Sequence, residues 1–350
     1  MERPSSPRTR RRWVVWIVLL LVTVLVLELT SVDVLVGLRR SWEVVDSAQP
    51  WLLALALVLE LGSFACFSGL TRTLLPTSRP GYPTVLAIDL TGNGSSRVLP
   101  GGGASAAVLR YRLLGSHGVG SGAAASAATA ETAITTMWLV AGLGLGLVLA
   151  VPHPGTQPLL KTACVVAVVA LTATGGVVAV LTARPEAVVA VTHRVAAHVP
   201  LLRPQVLEGW VRSLIALVQT LTRGGARSRQ ALLWGLGNWA LDVSALWTCL
   251  WAFGVAANPG GLVTTHAVVS LIAMLPLTPG GIGLVEGVAV PMLVSFGVPG
   301  GAALLGVLAW RLLSFWLPIP VGLGSYSWLR LVGARSSATP AAGHRGTRPR

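Results

Sequence analysis

Five ionisable side chains stand inside long apolar runs of this chain: Glu60, Glu131, Asp242, Glu286 and Arg311, with Arg110 and Arg112 close to a proline–glycine break. A charge held in hydrocarbon costs at least about 2.5–3.5 kcal/mol, so each of these groups asks for a partner or a purpose. Glu286 belongs to the stretch LPLTPGGIGLVEG, residues 275–287, where Pro279, Gly280, Gly281, Gly283 and Gly287 interrupt an apolar run. Proline removes a donor and clashes with the preceding turn, and glycine permits backbone that other residues resist. A helix must stop there, leaving bare carbonyls before the break and free amides after it. Such backbone is tolerated at membrane depth only against protein or a watery cavity. The amides of the next helix, the positive end of its dipole, suit an anionic group such as a lipid phosphate. The plainer alternative is a tight turn between two short helices. Arg311, in LAWRLLSFWLP, is expected to face the cavity and to neutralise either Glu286 or a headgroup; a buried pair that only orients helices is the alternative.

A second break has the same form. Residues 100–130, beginning Pro100-Gly101-Gly102, align without a gap on 279–309 with eleven identities in thirty-one positions. Leu114/Leu293, Gly118/Gly297 and Val119/Val298 are among them. Glycine and alanine inflate such a score, so coincidence remains the competing explanation. If the copies lie in opposite orientation, they have the pattern of transport folds whose substrate site lies between repeats.

Other chemistries find no footing. There is no GxSxG, no P-loop, no Cys–His pair with a third group and no Asp-x-Asp, so no enzyme, no metal site and no cofactor is expected. Cys66, Cys164 and Cys249 lie singly in separate apolar runs, which gives no disulfide framework. The net charge of +14 is concentrated in the N-terminal RTRRR, between 184 and 229, and after 330. That is the distribution of cytoplasmic segments under the positive-inside rule, and no nucleic-acid recognition fold accompanies it.

The elements that must position these groups follow from composition. With 53% hydrophobic and only 11% charged residues, and with apolar runs near 20 residues, this is a polytopic helical membrane protein. A barrel would need an alternation that the runs lack. Helices are expected over about 13–36, 51–71, 120–150, 159–183, 231–254 and 300–329, as six full spans with both termini cytoplasmic. Two segments, 84–118 and 262–298, hold the breaks and are expected to enter and leave as re-entrant excursions. Residues 1–12 form a basic tail, 13–331 the membrane domain with repeat halves at about 84–150 and 262–331, and 332–350 a disordered basic tail. Residues 205–223 place Gln205, Glu208, Arg212, Gln219 and Arg223 on one helical face. That is the signature of an amphipathic helix in the inner interface, or of one packed under the bundle.

The PGG-x-G-x-x-E-G element, followed by WRLLSFWLP, resembles the flippase-like membrane family named after the transmembrane region of lysylphosphatidylglycerol synthase. VLPGGGASAAVLRYRLLGSHG and LWGLGNWALDVSALWTCLWAFG look like further stations of that family, so the resemblance covers about 50–330. It implies an all-α bundle with re-entrant elements that moves a lipid, or a lipid-linked headgroup, between leaflets of the cytoplasmic membrane. In the synthases this region translocates aminoacylated phosphatidylglycerol made by an attached cytosolic domain. That domain does not follow residue 330, so aminoacyl-tRNA-dependent synthesis is not expected and the cargo is not inherited. The resemblance carries Pro279, Gly280, Gly281, Gly283, Glu286 and Gly287 over as candidate site residues. In the first half GASAA replaces the polar residue after the glycines, leaving Arg110 and Arg112 beside Pro100, Gly101 and Gly102. Membrane lipids with an anionic headgroup are the expected partners. The alternative is a non-transporting subunit that organises an envelope-synthesis complex, whose partner is then a biosynthetic protein.

Overall fold

A computed structural model describes residues 48–76, 80–99, 102–150, 225–274 and 281–337. The expected helices 13–36 and 159–183, the amphipathic segment 205–223, the N-terminal tail and residues 338–350 lie outside them, as do Pro100, Gly101, Pro279 and Gly280. Every regular element described is helical: α1 (Pro50–Leu74), α2 (Tyr82–Val98), α3 (Gly103–Ser116), α4 (Ser121–Ala150), α5 (Ala226–Ala252), α6 (Pro259–Ala273), α7 (Leu284–Ser295), α8 (Gly300–Arg311) and α9 (Pro318–Ser337). A π turn, Leu312–Trp316, joins α8 to α9.

Local chemistry sets several boundaries. Proline opens α1, α2 and α6, where its missing N–H has no helical partner to lose. The Asn258 side chain caps α6 by accepting from the Gly261 N–H at 3.1 Å. Among the described residues α1, α4 and the run Gly300–Val332 are long and apolar enough to cross a membrane. At 1.5 Å per residue the 25 residues of α1 reach roughly 37 Å, beyond a hydrocarbon core of about 30 Å. α2, α3, α6 and α7, at 17, 14, 15 and 12 residues, each fall short. α2 packs on α3 and α6 on α7, so each broken segment is helix–break–helix. The last helix continues to Ser337, past the expected end near 329, and the π turn interrupts what was expected to be one continuous element.

The two halves correspond element by element. The register that pairs Gly118 with Gly297 also lays α1 on α5, α2 on α6, α3 on α7, and α4 on α8–α9. Equivalent helices α1 and α5 pack antiparallel. Gln49 N–H donates to the Ala252 carbonyl at one end, Ser63 and Asn238 hydrogen bond in the middle, and Arg227 donates to the Thr73 and Leu75 carbonyls at the other end. The flanking contacts are reciprocal, α2 against α9 and α6 against α4. A two-fold relation that turns α1 onto an antiparallel α5 has its axis across the helices, which makes this an inverted repeat. It reaches further than the sequence alignment, since α1 and α5 belong to it as well. At Gly94 and Gly322 the α2 and α9 backbones approach so closely that a Cβ on either would meet the other's main chain.

The turns after α3 and α7 are the same structure. Gly118 and Gly297 have φ of 83° and 90°. The N–H of Val119 reaches the Leu114 carbonyl and that of Val298 the Leu293 carbonyl, both at 3.1 Å. This is the Schellman closure, in which a left-handed glycine lets the chain satisfy the helix's last carbonyls. The accompanying apolar contact is buried in each half: Leu114 with Val119, and Leu293 with Val298.

Candidate functional site

A cavity of about 460 Å³ lies between the halves. Three helices present one face each to it, at the i, i+3, i+4, i+7 spacing of neighbouring positions on a helix. α1 offers Glu60, Ser63, Phe64 and Phe67; α2 offers Asp89, Gly92, Asn93, Ser96 and Arg97; α3 offers Gly103, Ala106, Ala107 and Arg110. The second half closes the space with Asn238 and Asp242 from α5, Ser270 from α6, Trp310 and Arg311 from α8, and Ser314 from the π turn.

Three arginines line this space and differ in how they are engaged. Arg110 is consumed. Its Nε donates to Asp89 at 2.7 Å, its Nη1 and Nη2 grip the two Glu131 oxygens at 2.5 and 2.8 Å, and Nη2 also reaches Thr71 Oγ1 at 2.8 Å. Asp89 and Glu131 are 4% and 3% exposed, so this one guanidinium pairs with two buried acids from two helices, while Asp89 Oδ2 has no hydrogen-bond partner among the described residues. Arg311 donates from Nε to Glu286 Oε1. Both are buried, and the expected pair is present. Arg97 differs. No carboxylate lies within ion-pair distance of it among the described residues. Its Nη2 donates to Asn93 Oδ1 at 3.0 Å and to the Ser314 carbonyl at 3.3 Å, while Nε has no hydrogen-bond partner among the described residues.

The π turn is what makes the second of those bonds available. Pro318 has no N–H and its ring would clash with the carbonyl four residues earlier, that of Ser314. The helix widens instead, Leu317 N–H reaching back to Leu312 at 2.9 Å. The Ser314 carbonyl thereby lacks the usual helical donor and takes Arg97. Arg97 and Arg311 both stack on Phe315, with guanidinium carbons 4.9 and 4.4 Å from the ring centroid. Two positive charges are thus gathered around one aromatic ring at the cavity wall.

A second polar group meets the same cavity. Asp242 accepts from Trp310 Nε1 at 2.8 Å through Oδ1 and lies 3.0 Å from His266 Nε2 through Oδ2. Glu60 lines the same cavity from α1, about one turn from the Ser63–Asn238 hydrogen bond that ties α1 to α5.

The other residues singled out in the sequence are distributed unevenly. Gly102, Gly281 and Gly283 adopt positive φ at the two breaks, 50°, 71° and 76°, which is the backbone freedom expected of them. Gly287 is exposed on α7 with open space around it, and Arg112 is exposed on α3; neither lines the cavity. Glu286 sits behind Arg311 rather than at the wall. Sequence reasoning passed over Asp89, Arg97 and His266. The first two were legible: Asp89, Asn93 and Arg97 recur every four residues in IDLTGNGSSR, a polar face in a segment read only as too polar to span. His266 gives no such signal, because its partner Asp242 lies 24 residues away.

Residues 11–322 match the family described as "Lysylphosphatidylglycerol synthase TM region". Three stretches are similar to curated chains named "UPF0104 membrane protein" from Methanothermobacter thermautotrophicus, among them 35% identity over 88 residues and 27% over 123. The longer of these two covers 34% of this chain and 36% of the relative, so each likeness spans about a third or less of either chain. No solved structure matches.

Proposed function

Because this multi-pass membrane protein belongs to the family of the lysylphosphatidylglycerol synthase transmembrane region, we propose that it translocates a phospholipid or lipid-linked headgroup between the leaflets of the cytoplasmic membrane. The observation that carries this reading is Arg97: a cation at the wall of a cavity between inverted repeats, with no carboxylate in ion-pair contact among the described residues and with Arg311 beside it on Phe315. A charge in that position awaits an anion. The cavity volume lies within the range of small-ligand sites, large enough for a phosphate-bearing headgroup whose chains stay in lipid. The lining substitutes for water: Asn93, Ser96, Asn238 and Ser270 supply hydroxyl and amide groups that a headgroup loses on leaving the interface. Inverted halves supply the geometry for exposing such a site to either side in turn.

The test is leaflet exchange of headgroup-labelled phospholipids in reconstituted liposomes. A charged hydrogen bond is worth about 1.5–3 kcal/mol, so Arg97→Gln is expected to slow exchange roughly tenfold to a hundredfold with the fold intact. Exchange of no lipid by the wild-type protein, together with copurification of an envelope-synthesis enzyme, favours the scaffold reading instead.

A further inference from the structure

We propose that Glu60 and Asp242, backed by His266, form a proton-binding site that loads one proton with each anionic headgroup, making the protein a proton–lipid symporter. This rests on the translocator reading and supplies its driving force.

The geometry has three parts. First, Glu60 on α1 and Asp242 on α5 line the same cavity about one turn from the Ser63–Asn238 hydrogen bond that ties these antiparallel helices, and two carboxylates gathered in one buried site do not both ionise without cost. Second, the site is only partly satisfied. Glu60 is 2% exposed and its Oε2 has no hydrogen-bond partner among the described residues; His266 is 1% exposed and its Nδ1 has none either. Asp242 oxygens are both occupied, by Trp310 and His266, so an added proton has Glu60 Oε2 and His266 Nδ1 as its open positions. Third, the site shares the cavity with the arginines. Arg97 on α2 and Arg311 on α8 line the same cavity as positive charges, with Trp310 on α8 donating to Asp242; Arg110 and Asp89, joined to Glu131, line it as well.

Charge balance links the two events. With both carboxyl groups ionised, their field compensates Arg97, which then has little need of another anion. One proton taken from cavity water cancels one negative charge. Arg97 is left with excess positive charge in a medium where Coulomb interactions are strong, and a phosphodiester restores neutrality. Proton and monoanion bind together, cross together, and leave together when the proton returns to water on the other side. The net transfer is electroneutral. The carriers are therefore sensitive to a pH gradient and insensitive to membrane potential.

The experiment uses the full chain in phosphatidylcholine vesicles containing traces of fluorescent phosphatidylglycerol, phosphatidic acid or phosphatidylethanolamine, with pyranine trapped inside. One-to-one coupling predicts that a gradient of one pH unit holds about a tenfold leaflet asymmetry of a singly charged lipid. A potassium-diffusion potential has no effect, and pyranine reports acidification that depends on the lipid. Glu60→Gln and Asp242→Asn are expected to lose both the gradient-held leaflet asymmetry and the lipid-dependent acidification, whatever rate of exchange remains. His266→Gln, which keeps a donor toward Asp242, is a second route to the same loss should either carboxamide fail to fold. Exchange by the wild type with no asymmetry and no proton movement overturns the proton site and leaves translocation standing. Proton movement without exchange of any lipid overturns the translocator reading and, with it, the coupling. Neither movement overturns both.

Discussion

The two halves share a backbone frame and invert its charges. Leu114, Val119 and Ala124 are buried in the first half as Leu293, Val298 and Ala303 are in the second, around turns with the same hydrogen bonds. Upon that frame the first half puts arginine on its short helix and acid on its long one, Arg110 against Glu131. The second puts acid on the short helix and arginine on the long one, Glu286 against Arg311. The long helices differ too: α4 runs unbroken, whereas Pro318 opens a π turn in its counterpart and frees the Ser314 carbonyl for Arg97. The repeat therefore keeps what closes helices and buries surface, and varies the charges gathered at the cavity. Of the first half's two cations at the cavity, Arg110 is tied to two acids and holds the bundle together, whereas Arg97 has no carboxylate in ion-pair contact among the described residues. The second half contributes the aromatic ring and free carbonyl that aim a cation at the cavity.

The largest effect expected from breaking this contrast is at Arg110. Arg110→Ala leaves Asp89 and Glu131 buried and unpaired, a loss of about 3–5 kcal/mol that thermal unfolding in detergent will register. Adding Asp89→Asn and Glu131→Gln removes the stranded charge and is expected to restore most of it; no restoration would mean the cluster is not what Arg110 stabilises. The second half should behave as a simple pair. Glu286→Arg or Arg311→Glu alone is expected to destabilise by about 3 kcal/mol or more. The double exchange should recover folding, and recover exchange less completely because Arg311 also lines the cavity. A double variant as unstable as the singles would remove the pairing as the explanation.

Smaller effects sharpen the shared frame. Gly118→Ala and Gly297→Ala force a left-handed backbone on alanine, with open space around either Cβ, so equal losses of roughly 1–2 kcal/mol are expected. Unequal losses would show that the turns are not energetically equivalent. Pro318→Ala lets Ser314 regain a helical donor; stability should hold or rise while exchange falls severalfold, separating anchoring of Arg97 from folding. The smallest change is Gly287→Ala, on an exposed helical face, expected to stabilise by about 0.5–1 kcal/mol without altering exchange. An altered rate there would give this glycine the site role that its placement does not suggest.

Local pattern alone determined a good deal about this protein: a helical membrane fold, two broken segments, the glycines that turn and the need of Glu286 and Arg311 for partners. Length of apolar run, proline's missing donor and the cost of lone charges each act within a few turns of chain, so they are written in neighbouring residues. Tertiary structure decided which charges meet. Nothing in the order of residues puts Glu131 rather than Glu60 on Arg110, seats Asp242 between Trp310 and His266, or leaves Arg97 beside Phe315 without a carboxylate in ion-pair contact among the described residues. Such contacts join elements far apart in the chain, 217 residues in the case of Arg97 and Ser314. They arise only when the antiparallel pairing of α1 with α5 brings the two inverted halves around one cavity.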